Sequence, residues 1–315
     1  MSYQSEMKKR FGAPIKDPLG ALSGIVNSMA AKITPIAAKK IGISESALQK
    51  RITSIQILKI QDVNGFTSSS DNWKSFNIGV NLGLMLFFNS MAKLFHSRMA
   101  ILHDDGTMSQ PKITIDESVK MAKNLMNAYW NGTIYQEKGF DAIQLDDNQL
   151  MQAGIILSNA EHFVLAHEFG HIVLHTAQKD KNITNMYNHF VTSTENMLND
   201  SGLSPKDVRT MAPMWGEELT CDWLGINLSF ERFDPGLERM YAYTGTEFVF
   251  IAQNMLTMFL SKTNHPEFVN TSHPPSYIRL NALRATIGEH NPPQILQLGK
   301  GMEDFSNDLL KRMQL

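Results

Sequence analysis

The sequence predicts a mainly helical α+β fold with a small β-sheet beside one histidine-rich helix, and three observations carry that prediction. Apolar residues recur at helical spacing over a proline-free stretch from about Gln152 to His175. A second such stretch runs from about Trp215 to Phe230. Ahead of both, NGTIYQEKGFDAIQL sets β-favouring residues between glycines from Gly132 to Leu145, which predicts one or two short strands.

Taken from the N-terminus, PLGALSGIVNSMAAKITPIAAKKIG and SESALQKRITSIQILKI read as two helices within residues 18 to 60, with Ser44 or Ser46 as a cap for the second. NGFTSSSDN, residues 64 to 72, reads as a turn-rich break. Helices are predicted over 77 to 101 and 116 to 130, with a short strand starting between Lys112 and Ile115. After Lys179 the pattern turns polar as far as Pro213, which is expected to break any helix. The Trp215–Phe230 helix ends at FDPG, and further helices are expected around 246 to 261 and 275 to 287. The chain divides on this reading into a mainly helical N-terminal region, 1–130, and a core, 131–315.

With 315 residues and 43% hydrophobic content, the chain can bury a sizeable core. Its 29 basic and 31 acidic residues nearly balance, so no electrostatic footprint for nucleic acid stands out. The N-terminus lacks the apolar run of a secretory signal, and the most membrane-like stretch, residues 78 to 95, is interrupted by Asn81, Asn89, Ser90 and Lys93. The single cysteine, Cys221, excludes an intrachain disulfide and suits a reducing compartment, so a cytoplasmic protein without a membrane span is expected. The sequence is silent on oligomeric state.

The chemistry concentrates in HEFGHIVLH, residues 167 to 175. Positions i and i+4 share a helix face, so His167 and His171 can present two imidazole nitrogens to one ion, with zinc the natural occupant. Glu168 then lies beside the open coordination position, where a carboxylate can take a proton from water. A metzincin would need histidine at Ala177 and glycine at Leu174, which excludes that class. His175 lies a further turn along, displaced by about 6 Å from its neighbour, and is read as a supporting or packing residue. In WGEELTCDWLG, Glu218 and Asp222 are again i and i+4: one can bind zinc while the other bonds to the far nitrogen of a ligand histidine. Glu217 is read as solvated and Cys221 as a small core residue.

These motifs resemble those of the gluzincin metallopeptidases related to the CAAX-prenyl endopeptidases, where HExxH is followed by Glu-x-x-x-Asp. The resemblance implies a zincin-like core binding one zinc ion, with Glu218 as third ligand, Asp222 as orienting residue and Glu168 as catalytic base. SHPPSYIRLNAL is similar to that group's His-Pro segment, which implies that His273 and Arg279 stabilise the tetrahedral intermediate. HEFGHIVLH also looks like the histidine helix of ImmA/IrrE-type regulatory peptidases, and the motif order and size are similar to phage-exclusion proteases of the Lit type. The expected activity is zinc-dependent cleavage of an intracellular protein or peptide substrate, which by analogy adds as a strand beside residues 132 to 145. Two other readings stay open: a latent peptidase switched on by a partner or ligand, and a noncatalytic protein whose structural zinc is closed by Cys221 or His175.

Overall fold

The computed structural model describes residues 21–60, 64–99, 106–108, 110–131, 133–134, 143–177, 179–234, 236–263, 273–287 and 293–314. In chain order the elements are α1 (Ala21–Ile41), α2 (Glu45–Arg51), β1 (Ile52–Leu58), β2 (Gly65–Ser68), β3 (Phe76–Asn81), α3 (Leu82–His96), α4 (Ile115–Trp130), α5 (Asp147–Thr176), α6 (Lys181–Asp200), α7 (Pro205–Phe230), α8 (Leu237–Lys262), α9 (Ser276–Ile287) and α10 (Pro293–Arg312). The architecture is mainly helical with one small three-stranded sheet.

The 30-residue α5 is the axis of the fold. Asp146 accepts from the backbone N–H of Gln149 while Gln149 reaches back to the N–H of Asp146, a reciprocal cap that fixes where the helix starts. Its first half is partly exposed, but every residue from His162 to Gly170 is buried, because α1, α3, α7 and α8 pack around it. A helix apolar on all sides is stable only inside such a shell. One hydrophobic cluster runs through these elements, from Val26 and Ile33 through Phe87, Phe88 and Phe95 to Phe163, Phe169, Phe248 and Phe250.

The sheet has strand order β1-β3-β2, with β1 parallel and β2 antiparallel to β3. It lies N-terminal to where the sequence suggests. The 44–60 stretch is helical only to Arg51, after which the β-branched series Ile52, Thr53, Ile55 and Ile57 pairs as a strand instead of extending the helix. The break at 64 to 72 contains β2, and the start of the expected 77–101 helix instead belongs to β3, where Ile78 and Val80 are buried. Lys112 to Thr114 form no strand, since Thr114 caps α4 by accepting from the N–H of Glu117. Most of the 132–145 segment lies outside the described residues.

Two more differences concern helices. The polar 180–213 region contains α6, capped by Asp180, and the first turns of α7, capped by Ser204 with Pro205 in its first turn. Pro213 sits inside α7 rather than before it. A C-terminal helix, α10, also forms, burying Met302, Leu309 and Leu310. Among the described residues no helix is long and apolar enough to cross a membrane.

Candidate active site

The site is built where α5 and α7 cross. The contact is close because the two helices meet through glycines. A Cβ on Gly225 would stand 2.9 Å from the backbone nitrogen of His167, and one on Gly170 would stand 2.9 Å from the carbonyl oxygen of Cys221. Side-chain contacts then follow in opposite order along the two helices: Asp222 meets His167, Glu218 meets His167 and His171, and Glu217 meets His171 and His175.

His167 and His171 turn their Nε2 atoms toward one carboxylate. His167 Nε2 lies 3.3 Å from Glu218 Oε2 and His171 Nε2 lies 3.7 Å from Glu218 Oε1. One nitrogen or oxygen from each of His167, His171 and Glu218 falls within 4.8 Å of the others, a spacing one ion can bridge. The carboxylate fits such an ion on independent grounds. Glu218 Oε2 is buried without a hydrogen-bond partner, which for an isolated anion would be costly. Burial opposes the charge on Glu218, but His167, His273 and His171 around it hold the carboxyl well below the usual range.

The far nitrogens of both histidines are occupied. His167 Nδ1 donates to Asp222 Oδ1 at 2.9 Å, which leaves Nε2 as the nitrogen that faces Glu218. Asp222 is in turn gripped by Arg279, whose Nη2 donates to Oδ1 at 2.6 Å and Nε to Oδ2 at 2.8 Å. Against the cost of burial, the guanidinium and His167 hold the Asp222 carboxyl down, and Asp222 and Glu218 lift His167 to about 10. Arg279 is only 8% exposed and commits two donors to Asp222, so it fixes the carboxylate to which His167 Nδ1 bonds.

On the other side, Glu217 Oε1 accepts from His171 Nδ1 at 3.1 Å and from His175 Nε2 at 2.9 Å. Glu217 is thus an engaged residue and not the solvated one the sequence suggests; despite partial burial, the two histidines lower its carboxyl to about 2. His175 joins the site through Glu217 and stacks on Trp73, ring centroids 3.8 Å apart. Cys221 is fully buried with its Sγ 3.3 Å from His171 Nδ1, and burial with nearby carboxylates pushes the thiol far up.

Glu168 is buried at 3% exposure, and that burial raises its carboxyl above the usual range. The Thr67 hydroxyl of β2 lies 2.9 Å from Glu168 Oε2 and 3.0 Å from its carbonyl oxygen. β2 approaches this closely because Gly65 faces the same side chain: a Cβ there would stand 3.0 Å from Glu168 Oε1. His273 brings Nε2 to 3.4 Å from Glu218 Oε2, and burial lowers its pKa, favouring the neutral ring. Sequence reasoning missed Thr67 and Trp73, which no local motif marks. Glu217 carried a signal, since it is i−4 from Cys221 on the stripe next to Glu218 and Asp222.

Buried carboxylates and histidines thus converge on one point where this helix pair crosses. Residues 96–296, well over half of the chain, match the family Peptidase U49, and the chain belongs to that family. No curated protein and no solved structure matches it.

Proposed function

We propose that this peptidase is a zinc-dependent endopeptidase of gluzincin type that hydrolyses peptide bonds of an intracellular protein, with His167, His171 and Glu218 as zinc ligands. The observation that carries the reading is the convergence of two histidine Nε2 atoms on a buried carboxylate whose Oε2 has no hydrogen-bond partner. Zinc held there would supply Lewis acidity, bringing the pKa of water to about 7 and polarising the scissile carbonyl.

The protein's own residues do the rest. Glu168, lifted by burial and fixed by Thr67, accepts the proton of the attacking water and passes it to the departing amine. Asp222 holds His167 by Nδ1, so that Nε2 is the nitrogen an ion would take on displacing its proton, and Arg279 keeps Asp222 in place, while Glu217 holds His171 by Nδ1 in the same way. His273, neutral and within 3.4 Å of Glu218, supplies a donor for the developing oxyanion.

The experiment compares new protein N-termini by mass spectrometry in cells expressing wild type or Glu168→Gln, with metal content measured on both purified chains. The expected result is one zinc per chain in each and new termini only with wild type. Cleavage surviving in Glu168→Gln, or zinc retained in His167→Ala, would overturn the assignment.

A further inference from the structure

Trp73 stands on the turn between β2 and β3, outside the residues that match the peptidase family. The turn holds it in an unusual state. Asn72 at φ 56° and Trp73 at φ 63° both occupy the left-handed region, which a bulky residue rarely adopts. Side chains over-determine that conformation: Ser69 Oγ accepts from the Trp73 N–H at 2.8 Å, and Asp71 accepts from the N–H groups of Lys74 and Ser75 at 3.1 and 2.8 Å. Strain maintained in this way asks what the indole is being aimed at.

It is aimed at His175. The rings stack 3.8 Å apart with only 12° between their planes. His175 is in the last turn of α5 with a side chain 25% exposed, so without a flat neighbour its ring could rotate into water. Held by Trp73, it donates Nε2–H to Glu217 Oε1, the oxygen that also accepts from His171 Nδ1. One carboxylate oxygen shared by two ring N–H groups fixes both tautomers, and for His171 the consequence is an Nε2 lone pair turned toward Glu218.

We infer that Trp73 is a positioning residue for the metal site, acting through His175 and Glu217 to hold His171 in its metal-binding tautomer and orientation. The inference rests on the zinc-site reading above. It assigns a part in that site to the β2–β3 turn, and it makes the His171 support a chain of three residues, as Asp222 and Arg279 form one of two for His167.

The test is zinc affinity of the full-length chain, measured by competition with a chromophoric chelator for wild type, Trp73→Phe and Trp73→Leu. Leucine keeps apolar bulk but has no flat face; phenylalanine keeps the face. The expected result is a loss of about tenfold for Trp73→Leu, within the range for groups that orient metal ligands, with most of it restored in Trp73→Phe at equal thermal stability. Equal affinity in wild type and Trp73→Leu overturns the inference, as does an equal loss in both variants, which would make Trp73 packing alone.

Should the leucine variant fail to fold, nitrogen-resolved NMR of the metal-free wild type still decides. An upfield ring-current shift at His175 and an Nδ1–H tautomer at His171 support the chain of contacts, and their absence overturns it. Wild type binding zinc that is lost in His167→Ala, with Trp73→Leu unchanged, sinks only this inference, whereas wild type binding no zinc sinks the zinc reading with it.

Discussion

Gly225→Ala and Gly154→Ala should move the protein in opposite directions, although both replace a helical glycine with the best helix former. Gly154 in α5 has nothing within 4 Å of where a Cβ would stand, so alanine there gains about 1 kcal/mol of helix propensity without cost. At Gly225 the added methyl would meet the backbone nitrogen and Cα of His167 at 2.9 and 3.0 Å. Both contacts are backbone, so relief requires α7 to withdraw from α5 by about 0.5 Å to reach ordinary contact near 3.4 Å. The 2.9 Å bond between His167 Nδ1 and Asp222 Oδ1 spans the same gap and would stretch to about 3.4 Å, close to the limit for a hydrogen bond. Overpacking costs about 1–3 kcal/mol and a weakened charged hydrogen bond up to about 2, against about 1 regained in propensity. A net loss of about 2–3 kcal/mol is expected, with zinc affinity down by about tenfold or more. Urea denaturation of both variants, with chelator competition for zinc, measures the two effects. If Gly225→Ala is as stable as Gly154→Ala and binds zinc like wild type, the helix crossing is not what sets the ligand geometry.

Three further outcomes are expected. Asp222→Asn removes the hydrogen-bonded counter-charge of the buried Arg279 guanidinium, leaving only Glu218 at 3.9 Å, and should destabilise the chain by about 3 kcal/mol, read by denaturant midpoint; a loss below about 1 kcal/mol would remove the pair from the stability argument. Cys221 should resist iodoacetamide in the native chain at pH 8 and react on unfolding, because burial keeps its thiol protonated; fast native labelling would revive a thiolate ligand and the structural-zinc reading. Burial raises Glu161 to about 7, above its unfolded value near 4.5, so the stability from its protonated form is full below about pH 4.5 and lost as pH rises through 7. Glu161→Gln should therefore raise stability at pH 8 by about 2 kcal/mol and change little at pH 4.5, and an equal effect at both values would refute the cause.

What the sequence made legible is the part written in helical periodicity. The α5 and α7 patterns fix which residues share a face, and i, i+4 spacing alone groups His167 with His171 and Glu218 with Asp222. The small sheet was expected, yet its place was not. The alternation in ITSIQIL and NIGVN is short, and the apolar run into LGLMLFF can be read as one helix until pairing with a distant strand decides it. Glu217 looked solvated because its partner His175 lies 42 residues away, and only the crossing of two helices shows that it has one. Pro213 fits inside α7 because buried Ala212 and Trp215 pack with Leu198, and tertiary packing outweighs one missing backbone bond.

The N-terminal region has a further bearing on the site. The family match begins at residue 96, yet two contacts on the candidate machinery come from before it: Thr67 on the carboxylate of Glu168 and Trp73 on the ring of His175. Both belong to the β2–β3 hairpin, and Gly65 in the same hairpin is what lets the strand approach Glu168. A displacement of this hairpin by even 1 Å would break the Thr67 bond, 2.9 Å long, and unstack the indole together. Glu168 and His175 therefore share a support that lies on a different part of the chain from the helix presenting them.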